Sequence, residues 1–250
     1  MAAAAIKVYR GWTGEWITLI MRNIYANLAF CIKYMQERIG CMPIGELKRP
    51  GIVVGMAAEA RIARRSGYQV ATLSGASALL TEGADGLISF GIAGGLAPGL
   101  PPGTLVVATE VIAEDGRQYP ALETATGLMQ GAVRAPIAGA AAIVARAEAK
   151  QTLYRRTGAV AVDLESADVA RLCADAGVPL AVIRAIADPA ERDLPPAALI
   201  GLGPDGKVDL GAVLGSVLRQ PRQIPALLAV ALDTRRALAA LDRVCSRGLL

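Results

Sequence analysis

From residue 51 onward, short apolar runs alternate with segments whose apolar residues recur at helical spacing. Continuous apolar runs are typical of strands that are covered on both faces of a mainly parallel sheet. They predict strands at 51–55, 87–90, 104–113, 159–163 and 180–187. The helical spacing predicts helices over 57–66, 143–157, 165–176 and 224–246. This alternation predicts an α/β fold, a three-layer α/β/α sandwich with a mixed, mainly parallel central sheet.

The first fifty residues have a different pattern. They hold six of the ten aromatic residues and one stripe of apolar residues at helical spacing between Ile17 and Met35. Their longest charge-free run, 23–32, is too short to span a bilayer as a helix. The segment either lies on a membrane interface with Trp12 and Trp16 as anchors, or is a loosely packed extension. We therefore predict an extension of unknown role at 1–50 and one domain at 51–250 that ends in amphipathic helices.

The longest of those helices, 224–246, carries Arg236 and Arg243 on the side opposite an apolar stripe, which is formed by Leu227, Ala231, Leu238, Leu241 and Cys245. Two roles are open for it. It could cap the sheet or form a dimer contact, and we expect a homo-oligomer. Alternatively, its apolar residues could line a groove that is open to a lipid tail, with Leu227, Leu228, Ala231 and Leu238 in the wall.

The chain contains no histidine. This excludes a Ser-His-Asp triad, a Cys-His pair, histidine-ligated zinc and imidazole acid–base catalysis. Proton transfer near neutral pH must therefore fall to carboxyl groups, Tyr, Lys or water. The four cysteines are scattered without a CxxC motif, which favours a reducing compartment and no metal site.

The net charge of +4 is unevenly distributed along the chain. Residues 1–50 and 215–250 are basic, whereas the middle of the chain carries more acidic than basic side chains. A nucleic-acid-binding protein would concentrate basic residues around its motifs, so we exclude that class. The basic ends are either solvated helix faces or a peripheral contact with an anionic membrane surface.

Ligands of parallel sheets collect at the carboxyl ends of the strands, so polar residues there are candidates for chemistry. Glu59 falls in the first helical turn after the first strand, where the helix dipole stabilises a carboxylate. After the second strand, Phe90–Leu96 contains three glycines, which either form a tight turn or let backbone amides approach a ligand.

Two further candidates lie at later strand ends. Asp163 and Glu165 follow one strand, and their spacing lets one carboxylate face a ligand while the other caps the next helix. Asp188 follows the strand 180–187. Because Pro189 and Glu191 come after it, Asp188 is either a helix N-cap in a capping box or a catalytic carboxyl.

Taken in order, these segments resemble the superfamily of nucleoside phosphorylases and purine nucleosidases. The strings that carry the resemblance are GMAAEARIA, FGIAGGL with GTLVVATEV, AVAVDLES and VIRAIADPA, which together span about residues 51–190. Within the superfamily, GMAAEARIARR, TGAVAVDLES, RAIADPAERDLPPAAL and RQPRQIPALLAVA resemble the hopanoid-associated phosphorylases most. Those enzymes are taken to remove adenine from an adenosylated hopane lipid precursor.

The resemblance implies a role for each matching residue. Asp188 would protonate or hydrogen-bond the purine N7, and Glu165 would bind the ribose hydroxyls. Glu59 matches the residue that activates water in the nucleosidases. Further contacts with the substrate are implied for Leu164 under the sugar, for the backbone of Ile92, Ala93 and Gly94, and for Ile143. No cofactor is implied, although phosphate could be a co-substrate.

Some positions depart from the pattern of the phosphorylase branch, which has arginines at the positions of Glu59 and Ser89 and a hydroxyl residue at that of Ile92. A carboxylate at Glu59 repels phosphate, so the motifs favour hydrolysis. If phosphate does bind, Arg61 or Arg184 must supply the anion site. The stretch 70–78 is shorter than in relatives, and Ala142 stands where nucleosidases have a Phe that stacks on the purine.

We therefore expect a cytoplasmic enzyme, at most peripheral at the inner membrane surface, that cleaves the N-glycosidic bond of a purine nucleoside. The substrate would be a small or lipid-linked nucleoside, with adenine released from an adenosylhopane-type precursor in hopanoid biosynthesis. Two alternatives stay open. One is phosphorolysis in place of hydrolysis, and the other is a catalytically weakened protein that only binds nucleosides or lipids.

Overall fold

The computed structural model describes residues 47–122, 131–200 and 210–246, and within them it contains one sheet of eight strands. The strands are β1 Gly51–Val53, β2 Gln69–Ala71, β3 Leu87–Gly95, β4 Leu105–Ile112, β5 Gln118–Pro120, β6 Val133–Gly139, β7 Ala161–Asp163 and β8 Leu180–Asp188. The helices are α1 Ala57–Ala63, α2 Ala76–Thr81, α3 Ala147–Thr157, α4 Ser166–Ala176, α5 Pro196–Ile200, α6 Leu210–Arg219 and α7 Ile224–Ser246.

The sheet is mixed and mainly parallel, as predicted. Strands β2, β1, β3 and β8 are neighbours in that order, and each pair among them is parallel. Strand β4 is antiparallel to β8 and β5 but parallel to β6. Strand β7 is parallel to β6 and antiparallel to the end of β3. The pairings β3–β8–β4–β6–β7–β3 therefore close into a ring, which brings the ends of several strands together.

Helices cover both faces of the sheet, which confirms the predicted layers. On one face, Phe90 and Ile183 pack against Leu241 and Val244 of α7. On the other face, side chains of β3, β4 and β8 pack against α2 and α4. Because successive residues of a strand point to opposite faces, a continuous apolar run such as 180–187 supplies both cores.

The glycine segment after the second predicted strand does not form a turn. Gly91, Gly94 and Gly95 continue β3, and none of them has a positive φ. Their function is to leave space, because a Cβ at Gly91 would lie 2.5 Å from Oε1 of Glu59. The helix predicted from 143 begins at Ala147. Three strands were not predicted, β2, β5 and β6, because they are short or half-exposed.

Helix α7 buries a face that the predicted stripe covers only in part. Its buried residues are Asp233, Ala237, Ala240, Leu241, Val244 and Cys245. Of the stripe, Leu241 and Cys245 are buried, whereas Ala231 is exposed. The difference has a physical reason: small alanines let α7 approach the sheet closely, so the buried face is not the one with the largest side chains.

Most of the extension predicted at 1–50 lies outside the described residues. Of its last residues, Leu47 is buried in the core with Phe90 and Ile183, and the backbone amides of Lys48 and Arg49 donate hydrogen bonds to the Asp85 carboxylate. Within the described ranges, no helix is long and apolar enough to cross a membrane.

Candidate active site

A cavity of about 470 Å³ opens where the ends of β1, β3, β7 and β8 meet. Its remaining walls come from the segment before α3, from α5 and from α7. Every residue that the sequence analysis proposed for the site lines this one cavity: Glu59, Ile92, Ala93, Gly94, Ile143, Leu164, Glu165 and Asp188. The fold thus brings together residues that are up to 129 positions apart in the sequence.

Glu59 is buried and held by backbone amides on three sides. Its Oε2 accepts hydrogen bonds from the amides of Gly55, at 3.0 Å, and Met56, at 2.9 Å. Its Oε1 accepts one from the amide of Ile92, at 2.8 Å. Glu59 therefore caps its own helix, and it also faces the cavity. Burial raises the pKa of this carboxyl above its ordinary value, although Arg184 and the three amides act in the opposite direction.

Arg184 lies in the middle of β8 and is almost completely buried. Its Nε lies 2.5 Å from Oδ2 of Asp163, and its Nη2 donates hydrogen bonds to the hydroxyl groups of Ser89 and Ser166. Burial alone would lower the pKa of Arg184, but the carboxylates of Asp163, Glu165 and Glu59 outweigh it and raise the pKa. The guanidinium thus compensates a cluster of carboxylates, and it does not line the cavity.

Asp163 and Glu165 divide the two roles that their spacing predicts. Oδ1 of Asp163 accepts a hydrogen bond from the amide of Ser166, at 3.0 Å, and so caps the start of α4. Glu165 lines the cavity, and its Oε2 lies 3.6 Å from Nη2 of Arg184. Burial raises the pKa of Glu165, as do the neighbouring acids Asp163 and Glu59, while Arg184 lowers it. Gly55 is needed beside Glu165, because a Cβ there would overlap the carboxylate.

Asp188 ends β8 at an irregularity of the sheet. Ala93 pairs with Ile186 and Gly94 pairs with Asp188, so Ala187 is an extra residue in β8. Such a bulge redirects the side chains that follow it, and here both Ala187 and Asp188 line the cavity. A turn and an extended segment follow Asp188, and the next helix begins only at Pro196. The alternative interpretation of Asp188 as a helix N-cap is therefore wrong.

The Asp188 carboxyl has a buried partner that the sequence analysis did not identify. Nζ of Lys150 in α3 forms an ion pair with Oδ2 of Asp188. Burial raises the pKa of Asp188 above its ordinary value, although Lys150 and Arg192 lower it, and Asp233 raises it further. The carboxyl can therefore hold a proton closer to neutral pH than an exposed aspartate does.

Both cations that pair with these carboxyl groups have a sequence signal, although Arg184 was considered only as an anion site and Lys150 was not predicted. Arg184 is the one charged residue in an otherwise apolar buried strand, LAVIRAIA. Lys150 shares a helical stripe with Ala147 and Tyr154, which are half-buried. A charge at a core-facing position is rare unless it is paired, so such positions point to a buried acid elsewhere in the chain. The other cation considered for an anion site, Arg61, is exposed.

The mouth of the cavity is apolar. Ile143, Leu164 and Leu199 line it and are about 40% exposed, at 36%, 41% and 37%. From α7, the cavity wall takes Val230 and Thr234. None of the four residues predicted for a groove on this helix lines the cavity, namely Leu227, Leu228, Ala231 and Leu238.

Two of these leucines lie on other sides of α7. Leu228 is 60% exposed on the outer side of α7, and Leu238 packs against the core. The interior of the cavity is lined by four carboxyl groups, those of Glu59, Asp163, Glu165 and Asp188, and its mouth is apolar. No Lys or Arg is among the described residues that line it, and these residues include no cluster of His, Cys, Asp and Glu that could hold a metal ion.

The arrangement can hold a neutral polar ligand and act on it by proton transfer. Glu59 follows β1, Glu165 follows β7 and Asp188 ends β8, so the three carboxyl groups can contact different parts of one molecule. A model of the phosphorylase superfamily matches residues 32–200 of the chain. No curated protein shows significant sequence similarity to this chain.

Solved structures with the same fold include three nucleosidases, two of which are named for 5′-methylthioadenosine and S-adenosylhomocysteine and one for S-adenosylhomocysteine alone. The Helicobacter pylori enzyme is 18% identical, with 81% of this chain and 98% of that chain covered and a TM-score of 0.59. The enzyme from Neisseria meningitidis is 17% identical, with 81% and 99% covered and a TM-score of 0.58. An S-adenosylhomocysteine nucleosidase from Streptococcus pyogenes is 16% identical, with 79% and 96% covered and a TM-score of 0.54. At these sequence identities, the comparison shows that the chains share a fold.

Proposed function

Because the chain belongs to the phosphorylase superfamily, we propose that its cavity cleaves the N-glycosidic bond of a purine nucleoside. The observation that supports this most is the convergence of Glu59, Glu165 and Asp188 on one cavity. Breaking this bond produces a sugar with oxocarbenium character and a purine that leaves poorly as an anion. The three carboxyls suit the three demands of the reaction, which are to protonate the purine, to stabilise the sugar and to activate the nucleophile.

Asp188 is the proposed acid. Its Oδ2 is held by Lys150, and its Oδ1 lies on the side of Gly94, which lines the cavity. In its protonated form, Asp188 would donate to N7 of the purine as the bond between C1′ and N9 breaks and the electron pair moves onto the base. The raised pKa of Asp188 favours that protonated form.

Glu165 is the proposed ligand of the ribose hydroxyls. In its ionised form it can accept hydrogen bonds from both hydroxyls, and Arg184 at 3.6 Å supports the ionised form. A carboxylate on the 2′- and 3′-hydroxyls orients the ring and stabilises its developing positive charge. The exposed side chain of Leu164, next to Glu165, offers an apolar surface for the sugar face.

We propose water as the nucleophile and Glu59 as its base. Water oxygen would form the new bond to C1′ while its proton moves to the Glu59 carboxylate. Phosphate would need a cation at this place, but Arg184 is engaged with Asp163, Ser89 and Ser166. The acidic lining therefore supports hydrolysis over phosphorolysis, although the superfamily takes its name from the latter.

We further propose that the substrate is a nucleoside with a large apolar 5′ group, such as an adenosylhopane-type lipid precursor that yields adenine. The neighbouring Helicobacter pylori and Neisseria structures were solved with 5′-thio analogues of a nucleoside. In this chain, Ile143, Leu164 and Leu199 form an open apolar mouth, where a bulky 5′ group could extend beyond the protein. Covering about 200 Å² of apolar surface adds about 5 kcal/mol of binding at 25 cal/mol per Å².

A lipid-linked substrate also requires contact with a membrane, and we propose the outer side of α6 and α7 for it. Four of the exposed large apolar residues lie there: Leu218, Ile224, Leu228 and Leu232. Exposed arginines flank them at 219, 222 and 235, a combination that suits an anionic lipid surface. Sedimentation with anionic and neutral vesicles tests this contact, with Leu228→Gln as the matched variant and vesicle binding lost as the expected result.

The function itself is tested by incubating the protein with adenosine and a series of 5′-substituted adenosines. We expect adenine release that increases with the apolar area of the 5′ group. Asp188→Asn serves as the control for contaminating activity, because it preserves size and removes the proton. A folded protein that releases no base from any of these nucleosides would refute the enzymatic proposal and leave the binding alternative.

A further inference from the structure

Lys150 is the one lysine buried completely within the described residues, and the site described above does not use it directly. A buried ammonium is costly unless all its hydrogens are paired. Here the three hydrogens have three acceptors, which are Oδ2 of Asp188, the Pro189 carbonyl at 2.9 Å and the Arg192 carbonyl at 3.0 Å. Lys150 thus holds the end of β8 and the segment after it in one arrangement.

This arrangement leaves the two oxygens of Asp188 in different surroundings. Oδ2 is occupied by Lys150, whereas no described residue donates a hydrogen bond to Oδ1. A Cβ at Gly94 would lie 3.2 Å from Oδ1, so this oxygen is beside the cavity wall. The proton of the carboxyl therefore belongs on Oδ1, because Oδ2 already accepts from an ammonium group.

We propose that Lys150 is a positioning residue for Asp188: it directs Oδ1 toward the purine and stabilises the carboxylate that remains after the proton has left. This inference rests on the proposed function of the cavity. When Asp188 gives its proton to N7, a negative charge appears on a mostly buried group. An ammonium already in place compensates that charge without any rearrangement, which is the condition for electrostatic stabilisation of a transition state.

Other charged groups near Asp188 are connected to the same assembly. Arg192, in the segment after β8, forms an ion pair with Asp233 of α7, with Nη1 and Oδ2 2.5 Å apart. Asp233 also accepts a hydrogen bond from Arg236, at 2.8 Å. Lys150 from α3 and Asp233 from α7 therefore hold the segment 189–192 from two sides. Of these groups, only Lys150 contacts the Asp188 carboxyl directly.

The test replaces Lys150 in two ways. Lys150→Met removes the charge and the donors, while Lys150→Gln removes the charge but keeps an amide that can donate to the carbonyls. Gln is the variant that keeps the proposal testable if Met unfolds the protein. Arg155→Met is the matched control, because Arg155 is exposed on the same helix. Opposite charges at this distance shift a carboxyl pKa by about 1–3 units.

The first readout is the pKa of Asp188 itself, measured by carbon-13 NMR of labelled aspartate and assigned with Asp188→Asn. We expect a rise of about one unit or more in both Lys150 variants, and none in Arg155→Met. The alkaline limb of the kcat/KM profile should move up equally, and kcat should fall by about tenfold or more. An unchanged Asp188 pKa in a folded Lys150 variant would overturn the proposal.

The second readout separates positioning from general stability. In the Asp188→Asn background, Lys150→Gln should cost no further activity, because its effect passes through the missing carboxyl. The same fold-loss in both backgrounds would assign Lys150 a structural role and contradict the proposal. If the Asp188 pKa moves as expected but no nucleoside is cleaved, then the proposed function fails while the coupling of Lys150 to Asp188 stands.

Discussion

The replacement of Gly91 by Ala tests whether the reaction requires Glu59 and Arg184 to lie close to the backbone at Gly91. A Cβ at this position would lie 2.5 Å from Oε1 of Glu59, about 0.9 Å short of the 3.4 Å at which ordinary contact begins. It would come at least as close to Nη1 of Arg184. Neither group can move freely, because three amides hold Glu59, while Asp163 and two serines hold Arg184.

The overlap must therefore displace one of the two groups by nearly 1 Å. A misplacement of this size in a catalytic group costs about 100-fold in rate. Overpacking a well-packed interior costs about 1–3 kcal/mol of stability. For a domain of this size, that lowers the melting temperature by about 2–12 °C. Gly91→Ala should thus fold, melt earlier than the wild type, and lose most of its kcat.

The assay follows adenine release from a 5′-substituted adenosine at saturating substrate, with melting curves recorded on the same samples. Gly215→Ala is the matched control, because a Cβ at Gly215 in α6 meets no atom within 4 Å. We expect that variant to keep full activity and to be slightly stabilised, since Ala favours a helix over Gly. A folded Gly91→Ala protein with wild-type kcat would refute the reasoning that Glu59 needs its present position.

Three further predictions follow from the same geometry. Asp188→Asn should fold and lose about 100-fold or more in kcat, measured by adenine release; a near-wild-type rate would remove Asp188 as the acid. Leu199→Gln should raise KM for a long 5′-alkyl substrate far more than for adenosine, and equal effects on both would indicate a loss of stability instead. Because burial raises the pKa of Glu59 and Glu165, the folded state binds their protons more tightly than the unfolded state. Stability should therefore fall as pH rises above about 4.5, and Glu165→Gln should flatten the dependence of melting temperature on pH.

The apolar runs predicted the sheet because they are long and carry few polar residues on either face. The run 180–187 is an example, and it forms β8 almost to the residue. Short strands such as Gln69–Ala71 carry too few residues for a pattern to emerge. A tight turn stayed an open alternative for the glycines of β3, because a glycine that leaves space for a distant side chain looks the same in sequence as one that bends the chain.

The candidate site was predicted from strand ends and motif order, and all the proposed residues line one cavity. The sequence could not reveal which cations compensate the negative charge of these carboxylates. The pairing of Asp188 with Lys150 joins residues 38 positions apart, and that of Asp163 with Arg184 depends on the register of β7 and β8 in the sheet. The bulge at Ala187 that redirects Asp188 likewise depends on pairing between strands, which no local pattern encodes.

The central claim is that this cavity hydrolyses a purine nucleoside by means of its carboxyl groups. The most direct measurement is a product analysis of a 5′-alkylthioadenosine incubated with the protein, with and without inorganic phosphate. We predict adenine and a free sugar in equal amounts, at a rate that phosphate does not change and that falls by about 100-fold or more with Asp188→Asn. A sugar 1-phosphate as the main product would contradict hydrolysis, and the absence of adenine release by the folded wild-type protein would contradict the claim as a whole.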